Sequence, residues 1–200
     1  MTTFTASTSR VMAVACWLFA AFMVVSALIG ADATTAARMV VIAALFAAIG
    51  WAVLWRPAVT LDEQSIVVRN VFRTVTVPWA ALIHVDTKYA LTLVTPHQKV
   101  TALAAPAPGR HVVMWANRED VTGLPERTYD AVRSVRPGDL ARSHSGQAAI
   151  LVRRRWEDLV ESGRLDAGVA ASTPVTTVLH VPTIVGAVLL AGVALVVFVR

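Results

Sequence analysis

"TVTVPWAALIHV", Thr74 to Val85, is the stretch whose reading decides the fold. Valine alternates with threonine up to Val77, Pro78-Trp79 interrupts, and Ile83 and Val85 resume the alternation. A period of two with one apolar face belongs to an antiparallel sheet buried on one side. Pro78 has no N–H to give a ladder, so it ends a strand or lies at a sheet edge. Trp79 is then expected in the core, covering one end of the sheet.

The same pattern continues on both sides. "AVTL" (Ala58 to Leu61) leads into a turn at Asp62-Glu63-Gln64-Ser65, "SIVVR" follows, and Asn70-Val71-Phe72 connects to "RTVTV". After Trp79, "LIHVDTK" sets Ile83, Val85 and Thr87 on one face and His84, Asp86 and Lys88 on the other. "ALTLVT" alternates through Leu91 and Leu93, Pro96-His97-Gln98 turns, and "KVTALA" alternates through Val100 and Ala102. These short strands over about 58–104 predict an antiparallel meander that bends into a β-sandwich or barrel. Its expected core includes Pro78, Trp79, Ile83, Val85, Leu91 and Leu93.

Residues 105–146 read as loop-rich, with a strand at "HVVMW" (His111 to Trp115) and a short helix near Glu126 to Arg133. From Gln147 the period changes to that of a helix, over about 147–162. Ala149, Val152, Trp156, Leu159 and Val160 share one face, while Arg153, Arg154, Glu157, Asp158 and Glu161 fall elsewhere. Gly163 is a reasonable stop. A meander closed by one amphipathic helix, with Trp156 plugging an open end, is the outline of a PH-like domain over 56–166.

The rest of the chain has another character. Of 200 residues, 56% are hydrophobic and 16% charged. Uncharged runs lie within 11–30, 37–55 and 179–199. Each is about long enough to cross a hydrocarbon core of roughly 30 Å. Trp51 and Trp55 suit an interfacial aromatic belt. The expected fold class is therefore three integral membrane α-helical spans plus the PH-like domain, with a linker at 167–178. Arg10 and Ala31-Asp32-Ala33 leave a cleaved first span open, whereas the apolar run is too long past Cys16 for lipidation. Arg10, Arg56, Arg69 and Arg73 against the lone Arg38 place residues 1–10 and the domain in the cytoplasm, with the C-terminus outside.

"WRPAVTLDEQSIVVRNVFRTVTVPWAAL", directly after two spans, and "PAPGR" beyond the sixth strand resemble an actinobacterial membrane-protein family. That family carries the bacterial PH domain named after low molecular weight protein antigen 6. The resemblance covers about Trp55 to Arg110 and implies a PH-like fold in a membrane setting. It implies little about biochemical role.

Lipid-binding PH domains of the eukaryotic type place basic residues around their first hairpin. Here that turn carries Asp62 and Glu63, and the following strand offers only Arg69, so specific inositol-phosphate recognition is not expected. Arg153, Arg154 and Arg155 are candidate contacts to an anionic surface, unless Glu157, Asp158 and Glu161 offset them along the helix. The domain holds fifteen Lys and Arg against twelve Asp and Glu without a basic stripe, so nucleic acid is not an expected partner.

The five histidines lack ligand spacing, and Ser143-His144-Ser145 in "RSHSG" is adjacency rather than a triad. No GxSxG, P-loop or GxGxxG motif occurs. No catalytic residue, metal or cofactor is expected. Ala43/Ala47, Ala44/Ala48 and Ala187/Ala191 permit close helix packing, within the chain or between copies. The expected function is a non-enzymatic integral membrane protein that presents its PH-like domain at the cytoplasmic membrane surface as a protein-interaction or assembly module. Its expected partners are the lipid bilayer and an unidentified membrane or cytoplasmic protein. An accessory subunit of a membrane or envelope transport system and a weak anionic-lipid sensor are the other readings.

Overall fold

The alternation around Pro78 becomes backbone pairing. The computed structural model describes residues 2–108, 140, 143–165 and 168–199. These fall into two units: Met1–Ala6, Ala58–Asn70 and Thr74–Val178 in the first, and Ser7–Pro57, Val71–Arg73 and Leu179–Arg200 in the second.

The first unit contains two antiparallel sheets. In one, β1 (Thr2–Phe4), β2 (Ala58–Leu61), β3 (Ser65–Arg69) and β4 (Arg73–Pro78) lie side by side in sequence order, and β8 (Thr176–Leu179) follows β4. Phe4 lies opposite Val59, and Ile66 opposite Val77. The other is β5 (His84–Asp86), β6 (Ala90–Val94) and β7 (Lys99–Pro106), joined in that order. Alternate side chains meet in one core, which includes Val59, Ile66, Val75, Val77, Leu91 and Leu93. Helix α3 (His144–Glu161) packs on this second sheet and adds Ala148, Ala149, Val152 and Leu159.

Pro78 is the last residue of β4, where its missing N–H costs no ladder bond. A 3₁₀ turn over Trp79–Ala81 makes the bend, and Trp79 is 2% exposed. Val85, Leu91 and Leu93 are buried, Pro78 is half-buried, and the half-buried Trp156 packs against the core. Ile83 departs from the expectation, with 46% exposure. It sits where the chain leaves the turn, before β5 begins, and its neighbour Leu82 is buried instead.

Two segments carry elements that were not expected from the sequence. The 1–10 segment contains β1 and the start of a helix, and the 167–178 segment contains a 3₁₀ turn (Ala170–Ser172) and most of β8. The strand at His111 to Trp115 and the helix at Glu126 to Arg133 lie outside the described residues.

The second unit holds three helices, each long and apolar enough to cross a membrane. They are α1 (Ser7–Gly30), α2 (Ala33–Ile49, continued to Trp55 as a π-helix) and α4 (Val181–Val199). Ala13, Ala20 and Ala27, seven apart, are the buried residues of α1, so small side chains let it approach α2 closely. Gly50 marks the tightest point: a Cβ there would stand 3.1 Å from Cys16 Cβ. Nearby, Trp17 Nε1–H donates to Ala47 O over 3.2 Å. That bond engages a helix carbonyl shortly before the π-helix begins.

Asp32 caps α2, its carboxylate accepting from Thr34 N–H and Thr35 N–H. The Thr35 side chain and these backbone bonds hold its carboxyl below the usual carboxylate value. Helix α4 packs on α2 and has no buried residue, so Ala187 and Ala191 are exposed, whereas Ala43 is buried.

Candidate functional site

Helix α3 starts because Ser143 caps it. Its Oγ accepts from Gly146 N–H at 2.8 Å while its hydroxyl donates to Leu140 O at 2.8 Å. Only glycine fits at 146, since a Cβ would lie 2.0 Å from Leu140 O. Ser143 is thus a structural cap, and His144 opens the first helical turn. Gly163, with φ +67°, ends the helix, as Arg164 N–H returns to Leu159 O.

Opposite this helix stands the β2–β3 turn. Trp79 Nε1–H donates to Asp62 O at 3.0 Å, and Trp79 N–H to Gln64 O at 3.2 Å. Asp62 N–H bonds Ser65 O, and Glu63 N–H bonds Asp62 Oδ1. The turn is therefore tied to a buried indole, which presets the position of its two carboxylates.

Between turn and helix lie two adjoining clefts of about 320 and 360 Å³ that share Glu63. The first has Asp62 on the turn side and Leu151, Arg154, Arg155 and Asp158 on the helix side. Spacings of three, four and seven put these four on one helix face. The second is walled by Pro78, Trp79, Leu159, Arg164 and Leu165. Together they form a trough lined by both signs of charge and, in its second part, by Trp79, Leu159 and Leu165.

The three candidate arginines do not act together. Arg154 is exposed and Arg155 half-buried, both lining the trough. Arg153 is 5% exposed, and its Nη2 donates to Val85 O at 3.1 Å, so it is no surface contact. The reason is helical geometry: Arg153 lies four residues after Ala149 and three before Trp156, on the face that packs. That spacing was visible in the sequence.

Arg153 also has a second effect, because it occupies a carbonyl of β5, an outer strand of its sheet. Asn70 does the same for β7. Its Nδ2 donates to Thr101 O at 2.8 Å, and its Oδ1 accepts from Leu103 N–H at 3.0 Å. A side-chain amide thus takes the place of a strand, and no alternation pattern announces that role.

Among the described residues, no group of three or more His, Cys, Asp and Glu is placed to hold a metal ion. His97 Nε2 is 2.8 Å from Ala171 O, and His84 is exposed on β5.

Residues 56–138 match a family model described as "Bacterial PH domain". No curated protein and no solved structure matches the chain. The match begins at the first residue after the π-helix and takes in all of β2–β7.

Proposed function

We propose that a PH-like domain and three apolar helices make this chain a non-enzymatic membrane protein whose domain is an interaction or assembly module. On this reading the domain is cytoplasmic, the C-terminus is outside, and the setting is that of the actinobacterial membrane proteins the sequence resembles. The trough between the β2–β3 turn and α3 is the contact face for a membrane or cytoplasmic protein.

One observation carries the reading: Asp62 and Glu63 stand across the trough from Arg154 and Arg155. A polyanionic headgroup drawn to the arginines meets two carboxylates whose repulsion is of the same size as the attraction. A protein surface offers both signs of charge and can satisfy both walls, which favours specificity over raw affinity. Strand addition is disfavoured at β5 and β7, whose backbone groups Arg153 and Asn70 engage. The trough beside the helix is the better-suited face.

The test places a photo-crosslinking amino acid at Leu151 or Arg164 of the full-length protein in its native membrane. A discrete protein adduct is expected, falling several-fold when Asp62 and Glu63 are both changed to Lys. Adducts to phospholipid alone, unaffected by those changes, would replace this reading with that of a surface-charge sensor.

A further inference from the structure

The turn between β3 and β4 ends in the second unit, where Val71–Arg73 group with the apolar helices. Two ties hold it there. Arg56 Nη1–H donates to Val71 O, and His180 N–H donates to Phe72 O at 2.7 Å. Both carbonyls at the tip are thereby taken, so the turn presents side chains outward rather than backbone acceptors. Phe72 is 48% exposed, and Arg73 beside it is exposed as well. Leu179 and Val181, on either side of His180, are also exposed. An aromatic ring, two aliphatic side chains and a guanidinium thus share this end of the unit.

Helix length fixes the depth of that patch. From His180 to Phe198 is about 27 Å at about 1.5 Å per residue, close to a hydrocarbon core of roughly 30 Å. At the far end, the Arg38 guanidinium stands 6.0 Å from the Phe198 ring. At the near end, Arg56 lies 5.9 Å from the Trp51 ring and Arg10 5.1 Å from the Trp55 ring. A cation beside an aromatic ring therefore marks each end, which is the chemistry of two membrane–water boundaries. On the reading that these helices cross a bilayer, His180 lies at one boundary, and Phe72, bonded to it, lies at the same depth. Helix α4 has no buried residue, so the medium around it reaches His180 and the turn. At that depth the medium is headgroups and the first methylenes of lipid chains. A ring can bury towards those chains while the neighbouring guanidinium meets a lipid phosphate. The sign of charge is uniform here, in contrast to the trough. Asp32 is the only acidic side chain in the sequence of this unit, and it caps the opposite end of α2.

We propose that the Val71–Arg73 turn is an interfacial anchor for anionic glycerophospholipid, with Phe72 at the boundary of chains and headgroups and Arg73 on a lipid phosphate. The anchor rests on the membrane reading of the three helices and is independent of the trough, which belongs to the other unit.

The test places a photoreactive phenylalanine analogue at position 72 of the full-length protein, in liposomes of phosphatidylglycerol and phosphatidylcholine at a set ratio. The same analogue in place of Gly192, where an added Cβ meets no atom within 4 Å, samples the middle of α4. Phospholipid adducts, identified by mass, are expected from both positions. At 72, phosphatidylglycerol should exceed its bulk share by about twofold, and Arg73→Glu should return it to that share. At 192 the bulk ratio is expected with or without that change. Lipid adducts at 192 but none at 72, through capture of water or of a second protein chain, would overturn the anchor and leave the membrane reading standing. No lipid adduct at either position would overturn both. Lipid adducts at 72 in the bulk ratio, or an excess indifferent to Arg73→Glu, would overturn the anchor as well.

Discussion

At Gly146, two oxygen atoms decide whether a helix can begin. Leu140 O occupies the space where a Cβ would be, at 2.0 Å, and Ser143 Oγ lies at 2.7 Å from the same point. Neither can withdraw cheaply, because Leu140 O also accepts from the Ser143 hydroxyl and N–H. Gly146→Ala is therefore expected to destabilise the docking of α3 more than Ser143→Ala does. The serine change removes a cap, worth about 1 kcal/mol. The glycine change breaks the cap and displaces backbone. Amide hydrogen exchange across His144–Glu161 in the intact protein checks the order, and equal exchange in the two variants would contradict it. "SHSG" contained the cap, an Ser followed by glycine, yet the reason for glycine is a carbonyl six residues upstream. Arg153 is the converse case: its inward placement follows from counting helical positions, although as a member of a run of three arginines it has the look of surface charge.

The elements were legible where a period repeated. β2 to β7, α3 and the three apolar helices all show a pattern of two, a pattern of 3.6 or an unbroken apolar run. β1 and β8 show none. Three residues, Thr2–Phe4, are too few to display alternation, and Thr176–Leu179 is exposed throughout, so nothing in its composition separates it from a linker. What makes β1 a strand is its partner: it pairs with Val59, Thr60 and Leu61, and Phe4 packs against the core. Phe4→Asp removes that packing while leaving β2–β3 pairing in place. Amides of Ala58–Leu61 should then exchange faster, with those of β6 unchanged. Unaltered exchange at β2 would show that the first strand contributes nothing to the sheet. The trough was legible only in part, since Asp62, Glu63 and the arginines stood out as charges but their opposition across a gap depends on tertiary folding.

For the whole molecule, two helices long and apolar enough to cross a membrane separate β1 from β2, and the two strands are hydrogen-bonded partners. On the proposed membrane reading, a pair of crossings by the two helices returns the chain to the side it left, the side on which β1 and β2 pair. Alkaline phosphatase fused after α4 is expected to be active, and inserted within 106–110 inactive; the reverse would invert the orientation. The same pairing also constrains how the protein is made. β1 leaves the ribosome before either helix of the α1–α2 hairpin, yet its partner is synthesised after both. On the proposed membrane reading, the first strand waits unpaired through two insertion events, and the sheet closes around it when the hairpin has returned to the starting side. On that reading, a chain whose hairpin failed to cross and return would leave β2 with a bare edge.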